Sequence, residues 1–176
     1  MEKIKAPFNL NGWIESNKHL LKPPVGNKNL YVESEDFIVM IVGGPNARKD
    51  YHYNETEELF YQIEGDIMVK TQQNGKMVEV RIKEGEMFLL PPKIPHSPIR
   101  PEGSVGLVIE RKRKKEDKDG LMWFSDKENA LLYEEYFHLT NIEKDFLPVF
   151  KRFYQSEKLR TCPVSGEIME ADERYI

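Results

Sequence analysis

Three side chains in this 176-residue sequence have the types and spacing to bind a divalent metal: His52, Glu58 and His96. His52 and Glu58 flank the polar turn Asn54-Glu55-Thr56, and His96 follows much later, directly after Pro91-Pro92-Lys93-Ile94-Pro95. Two imidazoles and one carboxylate from neighbouring strands can occupy one face of an octahedron. The opposite face then stays free for a chelating substrate and O₂, an arrangement that suits Fe(II). Taken alone, a His–carboxylate pair in a turn-rich stretch reads as surface decoration, so the flanking residues must decide. Arg48 lies four residues before His52 and Arg100 four residues after His96. On a strand that interval keeps side chains on one face, which would put two guanidiniums beside the metal. A planar guanidinium can hold the carboxylate of a small aromatic acid bidentately and can stabilise negative charge developing on oxygen. The other two histidines have no ligand-type neighbours: His19 reads as an exposed helix end and His138 as a surface or partly buried residue.

The elements that must position these residues are mostly strands. From about residue 31 to 111 the chain consists of short apolar or alternating runs: 37–42, 59–63, 67–72, 77–82, 87–90 and 105–110. They are separated by Gly43-Gly44-Pro45, Glu64-Gly65-Asp66, Asn74-Gly75-Lys76, Lys83-Glu84-Gly85 and Pro91-Pro92. Asn74-Gly75 is a hairpin signal, because both residues tolerate positive φ. Closely spaced strands without intervening helices predict an antiparallel sandwich or barrel. Within it Phe60, Tyr61 and Phe88 read as barrel core. Leu10, Trp13, Ile14 and Leu20-Leu21 predict a short helix capped by Asn9. Ile142, Phe146, Val149-Phe150 and Phe153 predict a late one, which Pro148 should start or kink. The polar tail from Arg160 reads as irregular. One domain over 1–176 is expected, with the barrel at about 31–111 and a C-terminal extension at about 119–176.

A formal charge of −4 and a pI near 5.7 argue against nucleic acid as a partner. The basic run Arg111-Lys112-Arg113-Lys114-Lys115 is followed by Glu116-Asp117-Lys118-Asp119 and reads as a solvated charged loop. The apolar runs are too short to span a membrane, and the first residues lack the apolar stretch of a signal peptide. A single cysteine, Cys162, excludes an internal disulfide and a multi-cysteine metal site. It suits a reducing, cytoplasmic compartment.

Two stretches resemble the paired motifs of the cupin superfamily. The first runs from Gly44 through His52 and Glu58 to Gly65, the second from Gly85 through Pro91 and His96 to Arg100. Asp50, Lys93 and Arg100 stand where cupins usually carry histidine, glycine and asparagine. Losing one of three histidines leaves the two-histidine, one-carboxylate set, with Asp50 as an alternative fourth ligand. The strings Asn46-Ala47-Arg48-Lys49-Asp50-Tyr51-His52, Pro95-His96-Ser97-Pro98-Ile99-Arg100-Pro101 and Gly106-Leu107-Val108-Ile109-Glu110-Arg111 are more specific. With Pro23-Pro24-Val25-Gly26-Asn27 and Asp119-Gly120-Leu121-Met122-Trp123-Phe124, they resemble the 3-hydroxyanthranilate 3,4-dioxygenase family over nearly the whole chain.

That resemblance implies a mainly β cupin fold, a double-stranded β-helix or jelly-roll barrel with short N- and C-terminal helices. It implies one Fe(II) per chain on His52, Glu58 and His96, and cleavage of 3-hydroxyanthranilate by O₂. The product, 2-amino-3-carboxymuconate semialdehyde, is the precursor of quinolinate and NAD in tryptophan catabolism by the kynurenine pathway. Arg48 and Glu110 would be catalytic, and Arg48, Glu58, Arg100, Glu110, Val25 and Asn27 would meet the substrate. Without the resemblance, Glu110 reads as an outward strand residue paired with Arg111. A homodimer is also implied. Many bacterial members carry a second, rubredoxin-like iron on four cysteines. Here those positions are Ser125, Glu128, Cys162 and Ser165, and one thiol with two hydroxyls is a poor substitute, so that site is expected to be absent. The alternatives are a cupin dioxygenase for another hydroxy-aromatic acid, or a non-enzymatic cupin that binds a small acid.

Overall fold

The β-branched and aromatic runs fold as strands, and their alternation decides which residues face inward. In the computed structural model, which describes residues 4, 6–22, 26–46 and 48–176, eleven strands are assigned. They are β1 (Asn27–Asn29), β2 (Phe37–Gly43), β3 (Tyr51–Tyr53), β4 (Glu58–Glu64), β5 (Ile67–Gln73), β6 (Lys76–Ile82), β7 (Met87–Leu90), β8 (His96–Ile99), β9 (Val105–Arg111), β10 (Asp119–Phe124) and β11 (Leu131–Phe137). Two antiparallel sheets result, in the orders β1-β2-β9-β4-β7 and β11-β10-β3-β8-β5-β6. The quartets β2-β9-β4-β7 and β3-β8-β5-β6 have the connectivity of a jelly roll. This is the mainly β fold that the family resemblance implies.

Met40, Phe60, Ile67, Val69, Ile82, Leu90 and Val108 fill the space between the sheets as one apolar cluster. Helix α1 (Leu10–Asn17) covers the outside of the first sheet, packing Ile14 with Leu21 against Ile41 and Val105. Helix α2 (Ile142–Tyr154) lays Phe146, Val149, Phe150 and Phe153 against Leu121 and Trp123 of β10. Trp123 stacks on Phe153 with centroids 4.3 Å apart, and its indole N–H donates to the Tyr154 hydroxyl at 3.3 Å.

Several local expectations hold. Asn9 caps α1 by accepting from the Gly12 amide at 2.7 Å. Asn74 and Gly75 take φ of 52° and 74° between β5 and β6. Others need correction. Pro148 does not start α2 but lies inside it, because Asn141 caps the helix and the apolar face continues past the proline. Tyr61 is half-buried in an apolar depression on the outside of the first sheet with Leu59, Met87, Leu107 and Ile109, so it is not barrel core. Part of the region expected as an extension contributes β10 and β11 to the second sheet. The tail after Arg160 is largely irregular, as expected, with a turn at 163–165 and a 3₁₀ turn at Glu173–Tyr175.

The pairing register places the chemistry. His52 of β3 and His96 of β8 are direct cross-strand partners. Glu58 of β4 and Glu110 of β9 are partners in the opposite sheet.

Candidate active site

The two sheets bring His52, Glu58 and His96 together, with one ligand atom from each lying within 4.8 Å of the others. The ring nitrogens are already sorted. His96 Nδ1 lies 3.1 Å from the Ile94 carbonyl, so it serves as the donor and leaves Nε2 free. His52 Nε2 lies 2.7 Å from Asp119 Oδ1, which leaves Nδ1 free. A carboxylate or carbonyl that fixes the second nitrogen is the usual support for a histidine that binds metal.

Glu58 supplies the test of fit. Its Oε2 is buried and 3.1 Å from His96 Nε2, yet it makes no hydrogen bond. A buried, unsatisfied carboxylate oxygen is costly, and a cation held between it and two free imidazole nitrogens would satisfy it. The charges agree. Burial opposes ionisation of Glu58, but His96, His52 and Arg113 together hold its carboxyl below the usual range. Burial lowers His52 against the pull of Asp119 and favours the neutral, ligand form of its ring. Burial also acts to lower His96, but Glu58 beside it raises it. The site thus stabilises one positive charge there, a place a metal takes by displacing a proton. The donor set fits Fe(II).

A cavity of about 700 Å³ opens onto this cluster, a size suited to a small organic ligand. Met40, Val42, Phe60, Pro98 and Val108 supply apolar walls, and Asn27, Arg48, Arg100 and Glu110 supply polar ones. Val25 lies outside the described residues. Arg100 is 3% exposed, and the one hydrogen bond of its side chain among the described residues is long, from Nη1 to Gln62 Oε1 at 3.5 Å. Burial pulls it down to about 10, with Glu58 acting the other way. Gly106 makes room for it, since a Cβ there would lie 2.9 Å from Arg100 Nη1. Arg48 is held differently. Its Nε is 3.3 Å from Asp50 Oδ1, and its guanidinium lies 5.7 Å from the ring centroids of both Phe146 and Phe150. Asp50, the alternative fourth ligand, pairs with Arg48 and is not part of the metal-type cluster.

Glu110 is buried and faces the cavity. Its ion-pair partner is Arg113, Nη1 to Oε2 at 2.5 Å, and not Arg111. Asn54 Nδ2 donates to the same oxygen at 3.0 Å, which leaves Oε1 without a described partner on this side. Burial, reinforced by the charge of Glu58, pushes the carboxyl up to about 7 despite Arg113. Arg113 therefore departs from the solvated-loop reading of its basic run. Its side chain is 6% exposed and also binds Asp119, Nη2 to Oδ1 at 2.7 Å. Asp119, Arg113 and Asn54 were not singled out from sequence.

Compared with known proteins, residues 2–154 match the family model described as 3-hydroxyanthranilic acid dioxygenase. The chain belongs to that family. A 3-hydroxyanthranilate 3,4-dioxygenase from Xanthomonas euvesicatoria pv. vesicatoria is 55% identical over 169 residues, covering 96% of this chain and 95% of that one. Another, from Ruegeria pomeroyi, is 47% identical over 174 residues, covering 98% and 96%. A solved cupin-2 domain containing protein from Shewanella frigidimarina aligns with a TM-score of 0.47 at 18% identity, over 56% of this chain and 92% of that one. The fold described above rests on strand order and not on that last likeness.

Two further placements bear on the site. The C-terminal turn returns to the cavity, where Arg174 and Tyr175 join its lining and Tyr175 packs on Phe150 at 4.7 Å. The polar tail carried no signal for this. Ser125, Glu128, Cys162 and Ser165 also converge. Cys162 Sγ lies 3.5 Å from Glu128 Oε2. Burial acts to raise the Glu128 carboxyl, but hydrogen bonds from Cys162, Ser165 and Ser125 hold it below its usual range. His19 and His138 are both exposed.

Proposed function

We propose that the protein is an Fe(II)-dependent 3-hydroxyanthranilate 3,4-dioxygenase. The reaction breaks the C3–C4 bond of the substrate and puts both atoms of O₂ into 2-amino-3-carboxymuconate semialdehyde, which closes to quinolinate, the precursor of NAD. The observation that carries this reading is a buried Glu58 oxygen without a hydrogen bond, gathered with the His52 and His96 rings in a cavity that also contains a buried guanidinium without an ion pair among the described residues. His52, Glu58 and His96 would hold one Fe(II), which would supply the chemistry that activates O₂ and a chelating substrate towards each other. Arg100 would take the carboxylate and fix the ring's orientation. Glu110, held through Oε2, would offer Oε1 to the protic groups and accept a proton as they bind. Arg48 would stabilise negative charge developing on oxygen. The apolar walls would exclude water from the reacting carbons.

Ser125, Glu128, Cys162 and Ser165 supply one thiol, two hydroxyls and a carboxylate already hydrogen-bonded to them. This supports one iron per chain and no rubredoxin-like second site. The apolar depression on the outer sheet face, lined by Met87 at 63% exposure, with the exposed Leu89 paired to its Leu59, supports a homodimer joined there. No described helix is long and apolar enough to cross a membrane, and the lone thiol suits a cytoplasmic enzyme.

The test is a substrate panel after anaerobic loading with Fe(II). Turnover of 3-hydroxyanthranilate but not of anthranilate, which lacks the chelating hydroxyl, is expected. Preference for gentisate would assign the same iron to a different ring. Binding of small acids without oxygen consumption would make the chain a binding protein.

A further inference from the structure

Behind the cavity wall lies a chain of buried charges that connects two parts of the site. Arg113 sits at its centre. One end of the guanidinium, Nη1, holds Glu110 Oε2 at 2.5 Å. The other edge grips Asp119 with two parallel contacts, Nη2 to Oδ1 at 2.7 Å and Nε to Oδ2 at 3.0 Å. Asp119 Oδ1 in turn accepts from His52 Nε2 at 2.7 Å. The side chains of Arg113, Glu110 and Asp119 are 6%, 4% and 1% exposed. Asn54 closes the arrangement by donating to Glu110, while its own Oδ1 accepts from the Thr56 amide and hydroxyl.

We propose that Arg113 and Asp119 are positioning residues for the reaction: one guanidinium sets both the ring of the metal-type ligand His52 and the carboxylate of Glu110. The inference rests on the iron site proposed above.

The geometry supports it in three ways. Asp119 binds His52 Nε2, which leaves Nδ1 as the nitrogen available to a metal and so fixes the ring's orientation. Arg113 and Asn54 both bind Oε2 of Glu110, so Oε1 is directed to the cavity by elimination. Arginine is the side chain that can do both, because its rigid fork presents separate edges to two carboxylates. A lysine would offer one compact charge and could not reproduce the two-contact grip on Asp119. Burial gives the arrangement its leverage, since removing one member of a buried charge network leaves the others uncompensated.

The experiment compares wild type, Asp119→Asn, Arg113→Lys and His96→Ala. Ferrous iron alone is titrated anaerobically against a chromogenic chelator, the metal-free proteins are melted, and kcat and KM are measured separately. Asp119→Asn keeps an oxygen that can accept from His52 but loses its charge and its grip on Arg113. Iron affinity should fall roughly 10- to 100-fold while the protein remains folded. Arg113→Lys, which touches no ligand, should weaken iron binding and raise KM together, because it disturbs His52 and Glu110 at once. If both variants bind iron like wild type while His96→Ala does not, the iron site stands and this inference is overturned. If their metal-free melting temperatures fall with iron affinity unchanged, the pair is structural and the inference is equally overturned. If wild type itself takes up no iron, the site reading fails first and the inference with it.

Discussion

Replacing Arg100 by methionine tests whether this buried side chain serves substrate binding or stability. Arg100 is buried, forms no ion pair among the described residues, and its side chain makes one described hydrogen bond there, the 3.5 Å one to Gln62. Its desolvation is therefore poorly offset within the protein, as its lowered pKa of about 10 shows. Methionine keeps most of the volume and removes the charge, so stability should not fall and the melting temperature should hold or rise. Activity should behave in the opposite way. Truncating one partner of a buried, hydrogen-bonded charge pair costs about 2–5 kcal/mol. At 1.4 kcal/mol per decade that is about 30-fold to about 4,000-fold in kcat/KM, expressed mainly in KM. The control is 2-aminophenol, which keeps the chelating amino and hydroxyl groups but lacks the carboxylate. Wild type and Arg100→Met should handle it alike. Equal losses on both substrates, or an unchanged KM for 3-hydroxyanthranilate, would refute the assignment of Arg100 to the carboxylate.

Gly106→Ala places a Cβ 2.9 Å from Arg100 Nη1 and 2.7 Å from Gln62 Oε1. It should raise KM by shifting the guanidinium, with little change in iron content by metal analysis. Cys162→Ser should leave both iron content and turnover intact, with about one iron per chain and no thiolate-to-iron absorption band. Loss of a second metal on that substitution would overturn the reading of the tail. Met87→Glu puts a charge in the apolar depression of the outer sheet face and should shift sedimentation towards monomer without abolishing turnover.

The sequence made the site legible where spacing alone settles orientation. His52 and His96 are cross-strand partners. Arg48 and Arg100 line the same cavity, although Arg48 precedes β3 and Arg100 follows β8, so the loops flanking the strands place them and not strand alternation. What stayed hidden depends on tertiary placement. Arg113 belongs to a basic run whose neighbours Arg111, Lys114 and Lys115 are exposed, and composition cannot show that one member turns inward to two carboxylates. Asp119 lay in the acidic stretch that was read as offsetting that run. Arg174 and Tyr175 come from a polar tail without periodicity, and only the return of the chain across α2 brings them to the cavity. Pro148 was expected to start or kink the helix, because local propensity does not register the cap at Asn141 or the buried aromatic face that carries α2 past it.

The central claim is tested most directly by measuring oxygen uptake against loss of 3-hydroxyanthranilate in the iron-loaded protein, with His96→Ala alongside. About one O₂ consumed per substrate cleaved is expected in wild type, because both oxygen atoms enter the product, and none in His96→Ala. Uptake without ring cleavage, or full turnover by His96→Ala, would contradict the account.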